Sequence, residues 1–270
     1  MSDIHEICRS MRIDCLRMAV AAGSSGMHFG GSLSMIEIAA ALYLKKMQVN
    51  EGYFTNPDRD RVIISKGHGV PAVYAALHQA GILSDEQLDS FKTDDTVLYG
   101  HPCINAGIGM EFSTGSLGQG LSQGVGTAIG LRHKGNLSSR VYVLLGDGEC
   151  DEGSVWEAAM SASKYNLSNL TAIVDRNHLQ YDGATNDVMP LDSLSGKWKS
   201  FGWNTVEIDG HDIEQCYLSF AAIYDRPTVI LANTVKGKGI SFMENDFAWH
   251  HKQMTKKQLK QAREELGIYD

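Results

Sequence analysis

The sequence predicts an α/β fold with a mostly parallel central sheet and helices on both faces. Three observations carry that reading. Short, continuously apolar runs alternate with longer segments of helical periodicity, the pattern of parallel strands covered on both sides. The runs are short and are bounded by Gly, Asp and Asn, which favours strands over buried helices. The chain has 270 residues, 43% hydrophobic and 21% charged, an ordinary globular composition. That length can bury about 70–75% of the unfolded surface without staples.

In chain order, the first element is a helix over residues 4–22, with Ile4, Ile7, Met11 and Leu16 at helical spacing. A second helix is predicted over residues 34–47 from Met35, Ile38, Ala41 and Leu42, with Ser34 and Glu37 as its capping box. RVIIS (residues 61–65) reads as a short buried strand and residues 71–80 as a helix. Ser84 and Gln87 open another helix by the same capping logic. Residues 118–132 form a helix full of small residues, and the pairs Gly120/Gly124 and Gly126/Gly130 would let it pack closely on a neighbour. A strand at 141–145, a helix at 151–164 and a strand at 170–174 follow. Residues 203–208 and 228–232 are further strands, with a helix over 212–224 between them. Residues 255–266 form a capped terminal helix stopped by Gly267.

Charge and cysteine content narrow the function. A formal net charge of −8 disfavours nucleic acid as the main partner, because phosphate backbones are held by Lys/Arg patches. It leaves room for a small phosphorylated ligand held by backbone amides and a metal ion. The five cysteines are odd in number and show no CxxC pairing, which points to free thiols in the cytoplasm. Residues 1–17 lack the apolar core of a signal peptide, and no run of about 18 apolar residues spans a membrane.

The chemistry concentrates in GDGECDEGSVWEAAMSASKYNLSNLTAIVDRNHLQ (residues 146–180). Asp147 and Asn177 each follow a predicted strand, at the edge where ligands of parallel sheets bind. A carboxylate and an amide oxygen are hard ligands suited to Mg²⁺ or Ca²⁺, not zinc. Gly146 and Gly148 let the backbone approach a bulky anion, and a helix beginning near Glu149 points its dipole there. Two readings stay open for Gly-Asp-Gly alone: a metal-bridged diphosphate, or an Asp capping a helix with an Asn in a turn.

GDG followed by Asn177, with EG and WEA between and Asp182-Gly183 behind, resembles the thiamine diphosphate motif of the transketolase family. NPDRDRVIISKGH (56–68), YGHP (99–102), STGSLGQGLSQGVG (113–126), DGHD (209–212) and KGKG (236–239) resemble transketolase segments in the same order. The resemblance spans roughly residues 20–255. It implies the thiamine diphosphate-binding fold, with a single diphosphate-binding (PP) domain over residues 1–270. It implies thiamine diphosphate and Mg²⁺ as cofactors, with Ca²⁺ or Mn²⁺ as substitutes. Asp147 and Asn177 would ligate the metal through side chains and Leu179 through its carbonyl. Gly146, Gly148 and Glu149 would meet the diphosphate, Gly115, Ser116 and Leu117 would line the cleft, and Lys236 would contact the cofactor. His68 and His101 would lie near the diphosphate and substrate oxygens, and His28 and His250 near the donor's C1 hydroxyl or carbonyl. Imidazole suits the proton transfers that ketol transfer requires. Glu152 and Glu157 match carboxylates that link paired active sites in the family dimer.

The same resemblance implies a partner. Single-chain transketolases continue into a pyrimidine-binding domain, whose glutamate activates the cofactor, and a C-terminal domain. This chain ends at Asp270, so it is expected to be the N-terminal subunit of a split, two-gene transketolase. Its partner would be a C-terminal subunit in an α2β2 heterotetramer acting on sugars or sugar phosphates, with no nucleic-acid or membrane partner. Four positions depart from the family pattern: Met27 and His251 stand where Gly is usual, Cys103 where an acidic residue is common, and Tyr181 where an aliphatic one is. His5, His78, His133, His178, His211 and His251 read as structural, with His211 organising a turn. Three rivals remain: an E1-like or deoxyxylulose phosphate synthase-like enzyme, a nicotinamide-binding domain from GxGxxxG (118–124), and a non-catalytic scaffold. No buried strand leads directly into that glycine motif, which weakens the second.

Overall fold

A computed structural model describes residues 3–269. Five strands form the sheet: β1 (Arg61–Ile64), β2 (Val141–Gly146), β3 (Leu170–Arg176), β4 (Asn204–Asp209) and β5 (Thr228–Asn233). Their order is β1-β2-β3-β5-β4, and every neighbouring pair is parallel. The central strands are buried on both faces, as their unbroken apolar sequence requires. Alternate residues feed two cores. Tyr142, Leu144, Ile173 and Ile230 face one, with the helices Ile4–Ala22, Val70–Gln79 and Ile213–Ala221. Val143, Leu145, Ala172, Val174 and Leu231 face the other, with Gln119–His133, Gly153–Lys164 and Leu194–Ser200. Gly146 pairs with Asp175, and Asp175 with Ala232, so β2, β3 and β5 end level. The loops that follow them therefore meet at one edge of the sheet.

Several local signals act as read from sequence. Ser84 and Gln87 form a reciprocal capping box, as do Thr255 and Gln258. A Cβ on Gly120 would lie 2.4 Å from Ser65 Cβ, and one on Gly124 2.5 Å from Val143 Cγ2, so this helix face packs only because it is glycine. Gly126 and Gly130 meet no described residue within 4 Å, so the close packing expected of that second pair is not made within this chain. A 3₁₀ turn, Gly148–Asp151, precedes the helix Gly153–Lys164, which starts later than expected. No helix among the described residues is long and apolar enough to cross a membrane, and the five cysteines are free.

The helix expected over residues 34–47 forms over residues 36–46, as an α-helical turn Ile36–Ala39 that runs directly into a π-helical stretch Ala40–Lys46, and a separate short helix, Phe29–Leu33, precedes it. Ser34 and Glu37 do not form the expected capping box, because tertiary partners claim both side chains. Ser34 Oγ donates to Asp175 Oδ2 at 2.6 Å. Glu37 is paired with Arg12 at 2.7 Å and with His211 Nδ1 at 2.9 Å. His211 also does more than organise its turn. Its Nε2 accepts the Val235 amide at 2.8 Å, so Nδ1 carries the proton donated to Glu37. That bridge fixes the backbone one residue before Lys236.

Candidate active site

The loops after β1, β2, β3 and β5 converge on a cleft of about 270 Å³. It is lined by His28, His68, His101, Gly115, Leu117, Gly146, Asp147, Gly148, Glu149, Asn177, Leu179, Lys236 and His250, all named from sequence, and by Lys66, Gln180 and Tyr181. Ser116 is exposed on its loop, and Glu152 is the exposed cap residue of the helix Gly153–Lys164, so neither lines the cleft. A larger groove of about 490 Å³ lies between the first helix and the C-terminal one. Its lining is mainly apolar, with Arg17 and Asp89 ion-paired to each other, so the chemistry belongs to the smaller cleft.

At the floor, Asp147 follows the last residue of β2. Its carboxylate accepts the Gly148 amide at 2.9 Å and the His178 amide at 2.7 Å. Asn177 Oδ1 accepts the Leu179 amide at 3.1 Å, and its Nδ2 donates to Asp175 Oδ2 at 3.1 Å. Asp175 thereby settles which way the Asn177 amide points. A tight turn, with the Gln180 amide donating to the Gly183 carbonyl at 2.8 Å, presents the Leu179 carbonyl. Each of these oxygens keeps a lone pair free of its present partner. Lys236 Nζ donates to the Leu179 carbonyl at 2.9 Å, so this oxygen already faces a cation. The donor set fits a hard divalent ion.

The floor is braced by a buried charge pair that sequence reading missed. Lys66 and Asp175, 3% and 2% exposed at their side chains, are ion-paired. Lys66 also donates to the Gly31 carbonyl at 3.0 Å, and Asp175 accepts the hydroxyls of Ser34 and Thr234. Burial alone would raise the Asp175 carboxyl, but Lys66 and these hydroxyls carry it below its usual range. Burial, with the nearby Asp175 charge, pushes Asp147 up. Glu149 has its oxygens engaged by the Gly118 amide at 2.8 Å, the Gly146 amide at 3.0 Å and the Ser65 hydroxyl. It joins the two glycine loops that wall the cleft. A Cβ on Gly31 would lie 2.9 Å from His68 Cδ2, and one on Gly148 2.9 Å from Gln180 Cγ, so a larger residue at either position would displace that side chain.

Above the floor stands a cluster of imidazoles around His28. Its ring centroid lies 5.3 Å from His68, 5.3 Å from His101, 5.5 Å from His250 and 4.4 Å from His251. His68 and His250 are 4.8 Å apart, and Tyr181 meets His250 edge-on at 5.2 Å. Burial followed by the neighbouring imidazoles pushes His28 down to about 3. Burial with Lys236 and Lys66 takes His250 to about 3. His68 lies well below its ordinary value and His101 lies lower as well, each chiefly through burial. At neutral pH the cluster is uncharged, and each ring offers one N–H and one lone pair. Lys236 Nζ lies 3.3 Å from His250 Nδ1, linking the cluster to the floor. His251, expected to be structural, packs its ring against His28 but is exposed and lies outside the lining of the cleft.

Residues 3–270 match the family model described as the transketolase, thiamine diphosphate binding domain. The chain is 42% identical over 242 residues to the 6-deoxy-6-sulfo-D-fructose transketolase subunit of Clostridium sp. (strain MSTE9), covering 88% of both chains. It is 41% identical over 243 residues to one subunit of the apulose-4-phosphate transketolase of Phocaeicola vulgatus, covering 89% of this chain and 86% of that one. The crystal structure of transketolase from Campylobacter jejuni superposes with a TM-score of 0.88 at 29% identity, over 99% of this chain and 43% of that one. The chain thus spans most of the length of the two subunit relatives and less than half of that solved transketolase. The family model and these relatives show that this chain belongs to the transketolase family, as its thiamine diphosphate-binding domain.

Proposed function

We propose that this chain is the diphosphate-binding subunit of a split transketolase, acting in the cytoplasm with a separate partner. The reaction would move a two-carbon ketol unit from a ketose to an aldose. The observation that carries the reading is the meeting, in one cleft, of a hard-oxygen cradle and a cluster of uncharged imidazoles. Asp147, Asn177 and the Leu179 carbonyl would hold Mg²⁺, with Ca²⁺ or Mn²⁺ as substitutes. Gly146, Gly148 and the 115–117 loop would bring backbone to the diphosphate, and Lys236 would face its charge. Thiamine diphosphate, when bound, supplies the carbanion that carries the two-carbon unit. The chain's residues handle protons and position. His28 and His250 would face the donor's carbonyl and C1 hydroxyl, and His68 and His101 the oxygens nearer the diphosphate. An uncharged imidazole takes a hydroxyl proton and returns it.

The partner would carry the pyrimidine-binding domain, in an α2β2 assembly. The names of the two relatives as subunits, and the shared length of the chains, support a separate partner. Tyr181 at the cleft is 66% exposed and Phe247 is 48% exposed, which suits a covering chain. Exposed Glu152 and Glu157 suit the same interface. Both relatives are named for ketoses bearing an anionic group, so a ketose with a phosphate or sulfonate tail is the substrate class.

The test is reconstitution. The purified chain alone should show no ketol transfer, and adding the partner with Mg²⁺ and thiamine diphosphate should restore it. Robust turnover by the chain alone would sink the split-subunit reading. In the complex, His250→Ala should lower kcat by about 100-fold or more, the scale of a lost acid–base group, while cofactor affinity changes little. Equal loss of both would remove His250 from the substrate.

A further inference from the structure

We infer that His251 is a specificity-determining residue that hydrogen-bonds a hydroxyl on the part of the ketose beyond its reacting carbons. The inference rests on the transketolase reading above. Its basis is backbone register. Met27 and Lys252 form an antiparallel bridge, with Met27 N–H donating to Lys252 O at 3.0 Å and Lys252 N–H to Met27 O at 3.1 Å. Their neighbours His28 and His251 are therefore opposed across the pair, and their rings meet at 4.4 Å.

The pairing is rigidly held. A Cβ on Gly26 would lie 2.8 Å from Lys252 O, so only glycine admits this approach. Lys92 Nζ donates to the Ser25 and Gly26 carbonyls at 3.0 and 2.8 Å, fastening the same segment. His28 lines the cleft, whereas His251 is exposed and outside its lining. His251 thus extends the imidazole cluster outward, away from the metal-ligating floor. Burial, with Lys92 and His101 nearby, pushes its pKa down, so it faces neutral solution uncharged. A neutral imidazole with a donor and an acceptor suits a sugar hydroxyl better than a phosphate.

The experiment uses the reconstituted complex with two donors: 3-hydroxypyruvate, which carries the two-carbon unit without a sugar tail, and the ketose giving the highest wild-type kcat/KM. His251→Ala should lower kcat/KM for the ketose by about 5- to 10-fold, mostly through KM, the scale of one lost hydrogen bond. It should leave 3-hydroxypyruvate turnover and the Kd for thiamine diphosphate unchanged. His251→Gln, which keeps a donor and an acceptor, should recover part of the loss. Equal losses on both donors, a weakened cofactor Kd, or no change on the ketose would each overturn the assignment. A wild-type complex that turns over neither donor would instead overturn the transketolase reading, and this inference with it.

Discussion

Asp147→Ala should abolish Mg²⁺-dependent binding of thiamine diphosphate. Losing an outer partner of a metal ligand typically costs 10- to 100-fold in metal affinity, and loss of the one carboxylate proposed as a direct ligand should exceed roughly 100-fold. The carboxylate also accepts the Gly148 and His178 amides, so alanine leaves both without their acceptor, a cost of about 1–3 kcal/mol for each that stays buried. Asp147→Asn separates the two effects, since it keeps an acceptor and removes the charge. Calorimetric titration with and without Mg²⁺, alongside circular dichroism, reads binding and folding independently. Both variants should fold and both should lose the metal-dependent component. Undiminished Mg²⁺-dependent affinity in a folded Asp147→Asn protein would remove Asp147 from the metal site.

The sequence was most informative where function is written into backbone chemistry. Asp147 and Asn177 stand just past β2 and β3, and a parallel sheet brings such positions to one edge. The glycines of the 118–124 segment announced close packing, and Gly120 and Gly124 provide it. Legibility failed where a residue's role depends on a distant partner. Ser34 and Glu37 look like a capping box, but the first serves Asp175 and the second pairs with Arg12 and His211. Tertiary hydrogen bonds to charged groups exceed the cap's local contribution. Lys66 in SKGH and Asp175 in VDRN resemble ordinary polar residues at strand ends. Only the pairing of β1 with β2 and β2 with β3 shows that they meet in the interior. The contact of His251 with His28 is hidden for a similar reason, because the bridge that seats it there joins segments remote in sequence.

The Lys66–Asp175 pair is where the floor of the cleft and the stability of the fold become one problem. Removing one partner of a buried ion pair costs about 3–5 kcal/mol, because the other charge is left uncompensated. Lys66→Met should therefore lower the thermal midpoint by roughly 10 °C, on the scale of a domain of this size. Asp175→Asn acts differently. It leaves an acceptor for Lys66 but disturbs the group that orients the Asn177 amide. Cofactor affinity should fall about 10- to 100-fold, as for other partners of metal ligands, alongside a comparable loss of stability, because the buried Lys66 charge loses its counter-ion. The pH response separates them further. Asp175 titrates below its ordinary value of 3.8 in the folded chain, so around and below that value the unfolded chain binds the extra proton. Its contribution is complete above that range and is lost as pH falls through the lower, folded value. Wild-type stability should carry this acid-side slope, and Asp175→Asn should flatten it. If Lys66→Met melts with the wild type and binds cofactor equally well, the ion pair is dispensable both to the fold and to the floor of the cleft.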